Sequence, residues 1–345
     1  MNKSITICLV TANRPLELKK ALLSIKKQTY QNFDVIVADD SQIPFSLKNI
    51  QKILPNAKYY HNKIPLREAK NTNKVFACAK TDYVCLFHDD DILEPNFIKR
   101  VVDSIDKFHP DLIYTSRLII DQDDKIIATQ ISEKNHNNLF VSIESKKILD
   151  VLVINKYLSD YVVSIMTPGL VYRKVIFDKC GGFDSSVNTH IDIDLIYKIL
   201  ATSKKTIFIN ELLYRSRIWF GLSGRTKTSE KGNVFFAQKE IIDNFILFCK
   251  KNKIKNYSKN ELYKNYALRC LSINGPFTWI NLRFNGPYLE KLYWLLNTGS
   301  EIIKTYPLTI LYPSFYILLF SNIIIPTKLM QYFQNKFLVL FLNKK

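Results

Sequence analysis

Three consecutive aspartates, Asp89, Asp90 and Asp91, follow His88 directly. Adjacent carboxylates repel one another, so such a run persists only when it is solvated or bound to a cation. Carboxylate oxygens suit Mg²⁺ and Mn²⁺, which commonly bridge to phosphates, and Mn²⁺ also accepts an imidazole. The plainer reading of the same residues is a solvated turn capping a helix that starts near Pro95. A second acidic pair, Asp39-Asp40, precedes Ser41 at the end of an apolar run, and alone it reads as a strand-to-loop turn. A third group, Asp192 and Asp194, lies just after His190 at the start of a helical pattern, where the helix dipole favours acids.

The elements around these groups decide what they can do together. Ile5 to Thr11 is a continuous apolar run of strand length, and Pro15 can open a helix carrying Leu16, Ala21, Leu22 and Ile25. Phe33 to Ala38 is a second buried strand, ending in Asp39-Asp40-Ser41. A helix near Phe45–Leu54, a strand near Ala57–His61 and a helix from Arg67 to Ala79 follow. Tyr83 to Phe87 is another strand, ending in His88 and the three aspartates. Phe97 to Phe108 is helical, Leu112 to Tyr114 is a strand, and Ile119–Gln130 fits a hairpin around Asp121 to Asp124. Residues 132–165 read as a less regular insertion, Ile191–Leu200 as a helix and Thr206–Ile209 as a strand. Alternating strands and helices with apolar strands predict an α/β fold with a mostly parallel sheet covered on both faces. Ligands of such sheets bind beyond the carboxyl ends of the strands. The first two acidic clusters both sit at carboxyl ends, so they are expected on one edge.

Composition narrows the class. The chain has 345 residues, 47% hydrophobic and 23% charged, which excludes a disordered chain. Residues 1–200 hold 27 basic and 24 acidic side chains, whereas residues 201–345 hold 22 and 7, so the net charge of +18 is concentrated in the C-terminal part. Cys8, Cys78, Cys85, Cys180, Cys249 and Cys270 show no zinc-ligand spacing and read as reduced, mostly buried thiols. With no signal-peptide pattern before Ile5, the expected location is the cytoplasm.

Cys8-Leu9-Val10-Thr11-Ala12-Asn13-Arg14-Pro15, with Leu22-Leu23-Ser24-Ile25 and Gln28-Thr29-Tyr30, resembles the opening of family 2 glycosyltransferases. Val35 to Ser41 resembles that family's second strand, Arg67 to Asn71 with Thr81 to Val84 the stretch before its metal motif, and His88 to Pro95 the motif itself. Gly181-Gly182-Phe183-Asp184 and Asp192-Ile193-Asp194-Leu195 are similar to its acceptor-side motifs. The resemblance covers about residues 4–220 and implies a GT-A fold, a Rossmann-like sheet that binds a nucleotide sugar. It places Asp40 on the base, usually uracil, with Asp39 close by. Thr11, Asn13 and Arg14 line the nucleotide pocket, with Asn71 and Asp89 also on the nucleotide side. Asp90 matches the metal-binding aspartate and is flanked by Asp91. His88 replaces the first aspartate of the usual DxD pattern, and both a ligand role and a bystander role stay open for it. The catalytic base matches Asp192, although the glutamate that usually precedes it is Ile191. Asp194 is the weaker alternative. No histidine follows His190, so the family's late phosphate-side histidine is missing, and Arg215, Arg217 or Arg225 would supply charge to the diphosphate instead.

What the resemblance implies is an inverting enzyme moving one sugar from a UDP-sugar to a lipid-linked or cell-surface glycan, assisted by Mn²⁺ or Mg²⁺. The QxxRW motif of processive synthases is absent; Arg217-Ile218-Trp219 is the nearest approach. A sugar nucleotidyltransferase needs a glycine-rich loop after the first strand, and residues 11–15 hold no glycine. A nucleotide-binding scaffold without activity is the non-enzyme alternative. The expected organisation is a catalytic domain over 1–225, with a nucleotide-sugar half over 1–118 and an acceptor half over 119–225. A helical, basic, membrane-associating region follows over 226–345. Thr305 to Thr327 carries no charge, long enough to span a bilayer, yet Pro307, Pro313 and Pro326 interrupt it. Spanning, in-plane attachment and a buried hairpin all stay open, and an anionic membrane surface is the expected partner of the basic region. No nucleic-acid-binding motif accompanies the charge, so nucleic acid is not expected.

Overall fold

A computed structural model describes residues 4–130, 138–154, 165, 169–187, 191–219, 233–255, 257–270, 296, 299–300 and 302–311. The chain divides into two compact units, Met1–Leu152 with Lys156–Phe220, and Val153–Asn155 with Gly221–Lys345.

In the first unit, strand β1 (Ile5–Thr11) is almost wholly buried. It pairs in parallel with β2 (Asp34–Asp39) on one side and β4 (Tyr83–His88) on the other; β3 (Lys58–His61) extends the sheet beyond β2. In this register Thr11 lies opposite Asp39 and Val10 opposite His88, so both acidic clusters leave the sheet at the same edge. Helix α1 (Pro15–Lys26) starts on Pro15, whose fixed φ suits a first helical turn. It buries Leu18, Ala21, Leu22 and Ile25, a single stripe at helical spacing. Helices α2 (Leu47–Ile53) and α3 (Arg67–Cys78) complete the crossovers.

The rest of this unit contains β5 (Ile92–Leu93), α4 (Phe97–Phe108), β6 (Leu112–Ile120), β7 (Ile126–Gln130), β8 (Phe140–Glu144) and α5 (Ser145–Ile154). It continues with β9 (Val171–Arg173), α6 (Lys174–Lys179), α7 (Ile191–Thr202) and β10 (Lys205–Arg217). The sheet order is β3-β2-β1-β4-β9-β6-β10-β5, with β7 on β6 and β8 on β10. The parallel arrangement holds for β3-β2-β1-β4 and for β6 with β10, whereas β9 runs antiparallel to both its neighbours. A three-residue buried strand shows the same apolar run in either direction, so periodicity does not report its sense. Strands β6 and β10 are longer than their apolar runs because buried polar residues continue them: Thr115, Ser116 and Arg117 in β6, and a bulged stretch after Ile209 in β10. Within 132–165, the described residues form β8 and α5 in place of an irregular insertion.

In the second unit, α8 (Asn233–Lys251) and α9 (Lys259–Cys270) bury Ile241, Phe245, Cys249, Leu262 and Tyr266. The Tyr263 hydroxyl donates to Asp243 at 2.5 Å, and Asp243 also pairs with Lys239 at 2.8 Å. A 3-10 turn follows at Pro307–Leu311. Among the described residues no helix is long and apolar enough to cross a membrane. Most of the uncharged stretch from Thr305 to Thr327 lies outside them.

Candidate active site

The end of β1 joins the two acidic clusters through one residue. The Thr11 hydroxyl donates to Asp89 Oδ2 at 2.7 Å, and the Thr11 carbonyl accepts the Asp40 N–H at 2.9 Å. Asn13 follows in the left-handed region, φ +58°, a conformation Asn tolerates better than most residues. Its N–H donates to Ser41 Oγ at 2.7 Å and its Oδ1 accepts the Gln42 N–H at 3.0 Å, so the loops after β1 and β2 are locked together.

On the β2 side, Asp39 is fully buried. It accepts from the Ser41 N–H (2.8 Å), the Phe45 N–H (3.1 Å) and the Tyr59 hydroxyl (2.7 Å). Burial, together with the Asp39 carboxylate, pushes the Tyr59 hydroxyl well above the usual tyrosine range. Asp40 Oδ1 accepts from Asn62 (2.7 Å) and from the Leu66 N–H (3.2 Å). Asn71 is buried beneath, accepting from Asn62 at 2.8 Å and donating to the Ala38 carbonyl at 3.3 Å. Asp39 and Asn71 therefore build the frame, and Asp40 is the carboxylate that frame presents; among the described residues nothing bonds its Oδ2.

On the β4 side the four residues divide by direction. Asp89 turns back toward β1, where the Ala12 N–H (3.4 Å) and Arg14 Nη1 (3.3 Å) reach it besides Thr11. Asp90 Oδ2 accepts from Arg14 Nη1 at 2.7 Å and from the Trp219 indole N–H at 2.9 Å. Asp91 is 2% exposed; its Oδ1 accepts the Arg217 N–H at 2.8 Å. Asp91 Oδ2 and His88 Nε2 are buried with no hydrogen-bond partner among the described residues, the nearest charge to His88 Nε2 being Glu68 Oε1 at 3.7 Å. One ligand atom from each of His88, Asp90 and Asp91 lies within 4.8 Å of the others. Two orphaned buried donor atoms, with the Asp90 carboxylate as the third donor group, fit a divalent cation. Burial raises the Asp91 carboxyl to about 7, with Asp90 adding to the rise. Burial also raises Asp89, against the Thr11 hydrogen bond. Burial alone would raise Asp90 too, but His88, the Trp219 N–H and Arg14 outweigh it and hold it low. Arg14 is held above its ordinary value by Asp90 and Asp89, which outweigh its own desolvation.

Residues 6–159 match the glycosyl transferase family 2 profile. They form a family 2 glycosyltransferase domain. The chain is 26% identical over 204 residues to the uncharacterized glycosyltransferase YwdF of Bacillus subtilis, covering 55% of this chain and 65% of that protein. It is 26% identical over 107 residues to an uncharacterized glycosyltransferase of Haemophilus influenzae, covering 30% and 32%. It thus spans about a third of the one relative and just under two thirds of the other. Among solved structures, S. aureus TarS 1-349 in complex with UDP-GlcNAc aligns with a TM-score of 0.68 and 13% identity, over 96% of this chain and 92% of that one. The longer S. aureus TarS structure aligns at 0.64 and 14%, over 93% and 54%. The fold of the glycosyltransferase domain is the GT-A type.

Late residues of the sheet return to the rim of the glycosyltransferase domain. Arg217, at the end of β10, donates Nε to the Asp90 carbonyl (2.8 Å), Nη1 to the Asp121 carbonyl (2.6 Å) and Nη2 to the Asp124 carboxylate. Two guanidiniums lie over the Trp219 ring, Arg14 at 5.7 Å and Arg217 at 5.9 Å from its centroid. Arg215 bonds Glu94 at 2.5 Å. Arg217, expected on a diphosphate, is instead 8% exposed and engaged at all three nitrogens by the protein. Arg225 lies outside the described residues. Trp219 was not among the expected site residues; its signal was an aromatic two positions after a strand-end arginine, too common a pattern to single it out.

Asp192, the residue expected as catalytic base, is half-buried in the first turn of α7. Its charge reaches the Tyr172 hydroxyl, which burial first and Asp192 second push well above the usual tyrosine range. Asp194 is fully buried and ion-paired with Lys198 at 2.5 Å, a structural pair within the helix. Gly182 has φ +70°, and a Cβ there would meet Asn73 Oδ1 at 2.7 Å. Asn73 needs that space: its side chain bonds the Phe183 N–H (2.9 Å) and carbonyl (2.8 Å), fastening this turn to α3.

Proposed function

We propose that the protein transfers one sugar from a UDP-sugar to a hydroxyl of a glycan or lipid-linked acceptor, by a metal-assisted single displacement that inverts the anomeric carbon. The observation that carries this reading is the convergence at the end of β1. Thr11 touches both Asp40 and Asp89, and Asp89 adjoins the His88-Asp90-Asp91 donor set. S. aureus TarS of the same fold is known in complex with UDP-GlcNAc, which supports a nucleotide-sugar donor here.

In this reading Asp40 accepts the imide N–H of uracil, which a base edge made of acceptors cannot offer. Asn62 and the Leu66 N–H hold the carboxylate in place, and Asp39, through Tyr59 and Ser41, fixes the loop beneath it. His88, Asp90 and Asp91 would hold Mn²⁺ or Mg²⁺, and the bound ion would supply charge neutralisation at the diphosphate that makes UDP a better leaving group. Arg14, half-exposed beside Asp90, lends a guanidinium to the phosphates. Arg217 acts as a positioning residue through its bonds to the Asp90 carbonyl and to the 121–124 turn. Asp192 accepts the proton of the acceptor hydroxyl as that oxygen attacks from the face opposite UDP. The basic C-terminal part, 22 basic to 7 acidic residues over 201–345, holds the enzyme on an anionic membrane surface at the cytoplasmic face.

The test is UDP release from a panel of UDP-sugars, with and without Mn²⁺, in the intact chain and in Asp90→Ala and Asp192→Asn. The reading requires metal-dependent release that Asp90→Ala abolishes. It also requires Asp192→Asn to keep UDP affinity while losing transfer; full transfer by that variant removes Asp192 from the base role.

A further inference from the structure

Resting on the metal-assisted reading above, we infer that His88 is a nitrogen ligand that makes this site prefer Mn²⁺ and Co²⁺ over Mg²⁺. The four residues at the end of β4 do not act as one acidic patch. Asp89 is drawn away by Thr11, the Ala12 N–H and Arg14. The set left on the other side is His88, Asp90 and Asp91, each offering one atom within 4.8 Å of the others. That set is one nitrogen and two carboxylate oxygens.

The protein leaves that nitrogen available. His88 Nε2 is buried with no hydrogen-bond partner among the described residues, and Glu68 Oε1 at 3.7 Å is too far for one. Asp91 Oδ2 is orphaned beside it, within a side chain 2% exposed, while Asp91 Oδ1 is fixed by the Arg217 N–H. Two buried orphans, on residues whose ligand atoms lie within 4.8 Å of one another, each lose the hydration they had in the unfolded chain, and a cation shared between them restores it. Mg²⁺ demands oxygen ligands in a tight octahedron and gains little from imidazole. Mn²⁺ and Co²⁺ accept imidazole, and affinity rises from the first to the second. An aspartate at position 88 would give three oxygens and a site indifferent to this distinction; histidine gives a site that sorts the ions.

The experiment uses the full chain with UDP present and reads metal binding, not turnover. Affinities for Mg²⁺, Mn²⁺ and Co²⁺ are measured by calorimetry, and Mn²⁺-loaded protein is examined by pulsed electron paramagnetic resonance for ¹⁴N coupling. Wild type should bind Mn²⁺ on the order of tenfold more tightly than Mg²⁺, and show ¹⁴N coupling. His88→Asn should lose that coupling and about tenfold in Mn²⁺ affinity while Mg²⁺ binding changes by less than about twofold. His88→Asp should bring the two ions close together. Glu68→Gln should leave coupling and selectivity intact, which separates a ligand from an ion-pair partner. Mn²⁺ bound without ¹⁴N coupling, or coupling that persists in His88→Asn, overturns this inference alone. Failure of wild type to bind any of the ions, with Asp90→Ala indistinguishable from it, overturns the metal-assisted reading beneath it as well.

Discussion

Asp91 offers the sharpest physical test of the acidic rim, because its titration is tied to the fold and not to turnover. Its carboxyl is raised by burial, and by Asp90, to about 7, against 3.8 in an unfolded chain. An acid whose folded pKa lies above its unfolded one keeps its proton longer in the folded state. Below about pH 4 both states are protonated and the group contributes nothing. Between about 4 and 7 the unfolded state releases the proton first, so stability falls as pH rises, and the loss is complete above about 7. The difference of roughly three pK units corresponds to at most about 4 kcal/mol, at 1.36 kcal/mol per unit. Asp91→Asn keeps the acceptor for the Arg217 N–H and removes the titration. Metal-free wild type and variant should therefore have similar urea stability at pH 4 and diverge by pH 8, the variant being more stable by up to about 4 kcal/mol. Saturating Mn²⁺ should close the gap from the wild-type side, since only the carboxylate gains from the cation. Parallel stability curves for the two proteins across pH 4–8 would show that Asp91 is solvated and that its place in a dry rim is wrong.

Arg217→Ala should cost about 3 kcal/mol in urea unfolding, because it strands the Asp90 and Asp121 carbonyls and leaves the Asp124 carboxylate with Lys20 alone; Arg217→Lys should recover little, since a point charge cannot replace a three-way fork. Hydrogen exchange across 121–125 should quicken in both. Gly182→Ala should lower stability by about 1–3 kcal/mol through its φ of +70° and the 2.7 Å approach to Asn73 Oδ1, with the loss read by thermal melting. Tyr59→Phe should cost about 1 kcal/mol by removing one of three donors to Asp39, while UDP affinity measured by calorimetry stays unchanged because Asp40 keeps both of its partners.

The parallel half of the sheet was legible because its signals are local. Pro15 opens α1 where its fixed φ demands, and the apolar runs ending at Asp39 and His88 are strands that leave at one edge. What stayed hidden depends on side-chain direction. Asp39 and Asp40 are adjacent and chemically equal, yet one faces Tyr59 and two backbone N–H groups inside the fold and the other faces Asn62. Asp89 and Asp90 divide in the same manner between Thr11 and Trp219. A sequence lists such residues side by side, and only the pleat of the strand and the turn after it sort them. Arg217 and Trp219 were hidden for another reason: the bulges in β10 break the alternation that would have shown which way each points. The antiparallel sense of β9 carries no periodic signature at all.

Arg217 and Trp219 reach back 126 and 129 positions to Asp91 and Asp90. During synthesis, at about 5–20 residues per second, the nascent chain therefore carries its acidic rim for on the order of ten seconds before the groups that clasp it exist. Arg14, bonded to Asp89 and Asp90, and Arg117, whose charge acts on Asp91, are already made, which gives them a second task as counter-charges for the emerging domain. The ribosome thus delivers first the strands that shape the acidic edge and only later the side chains that clasp it, so truncation just before residue 217 should yield a chain that collapses but keeps an open, ion-hungry rim.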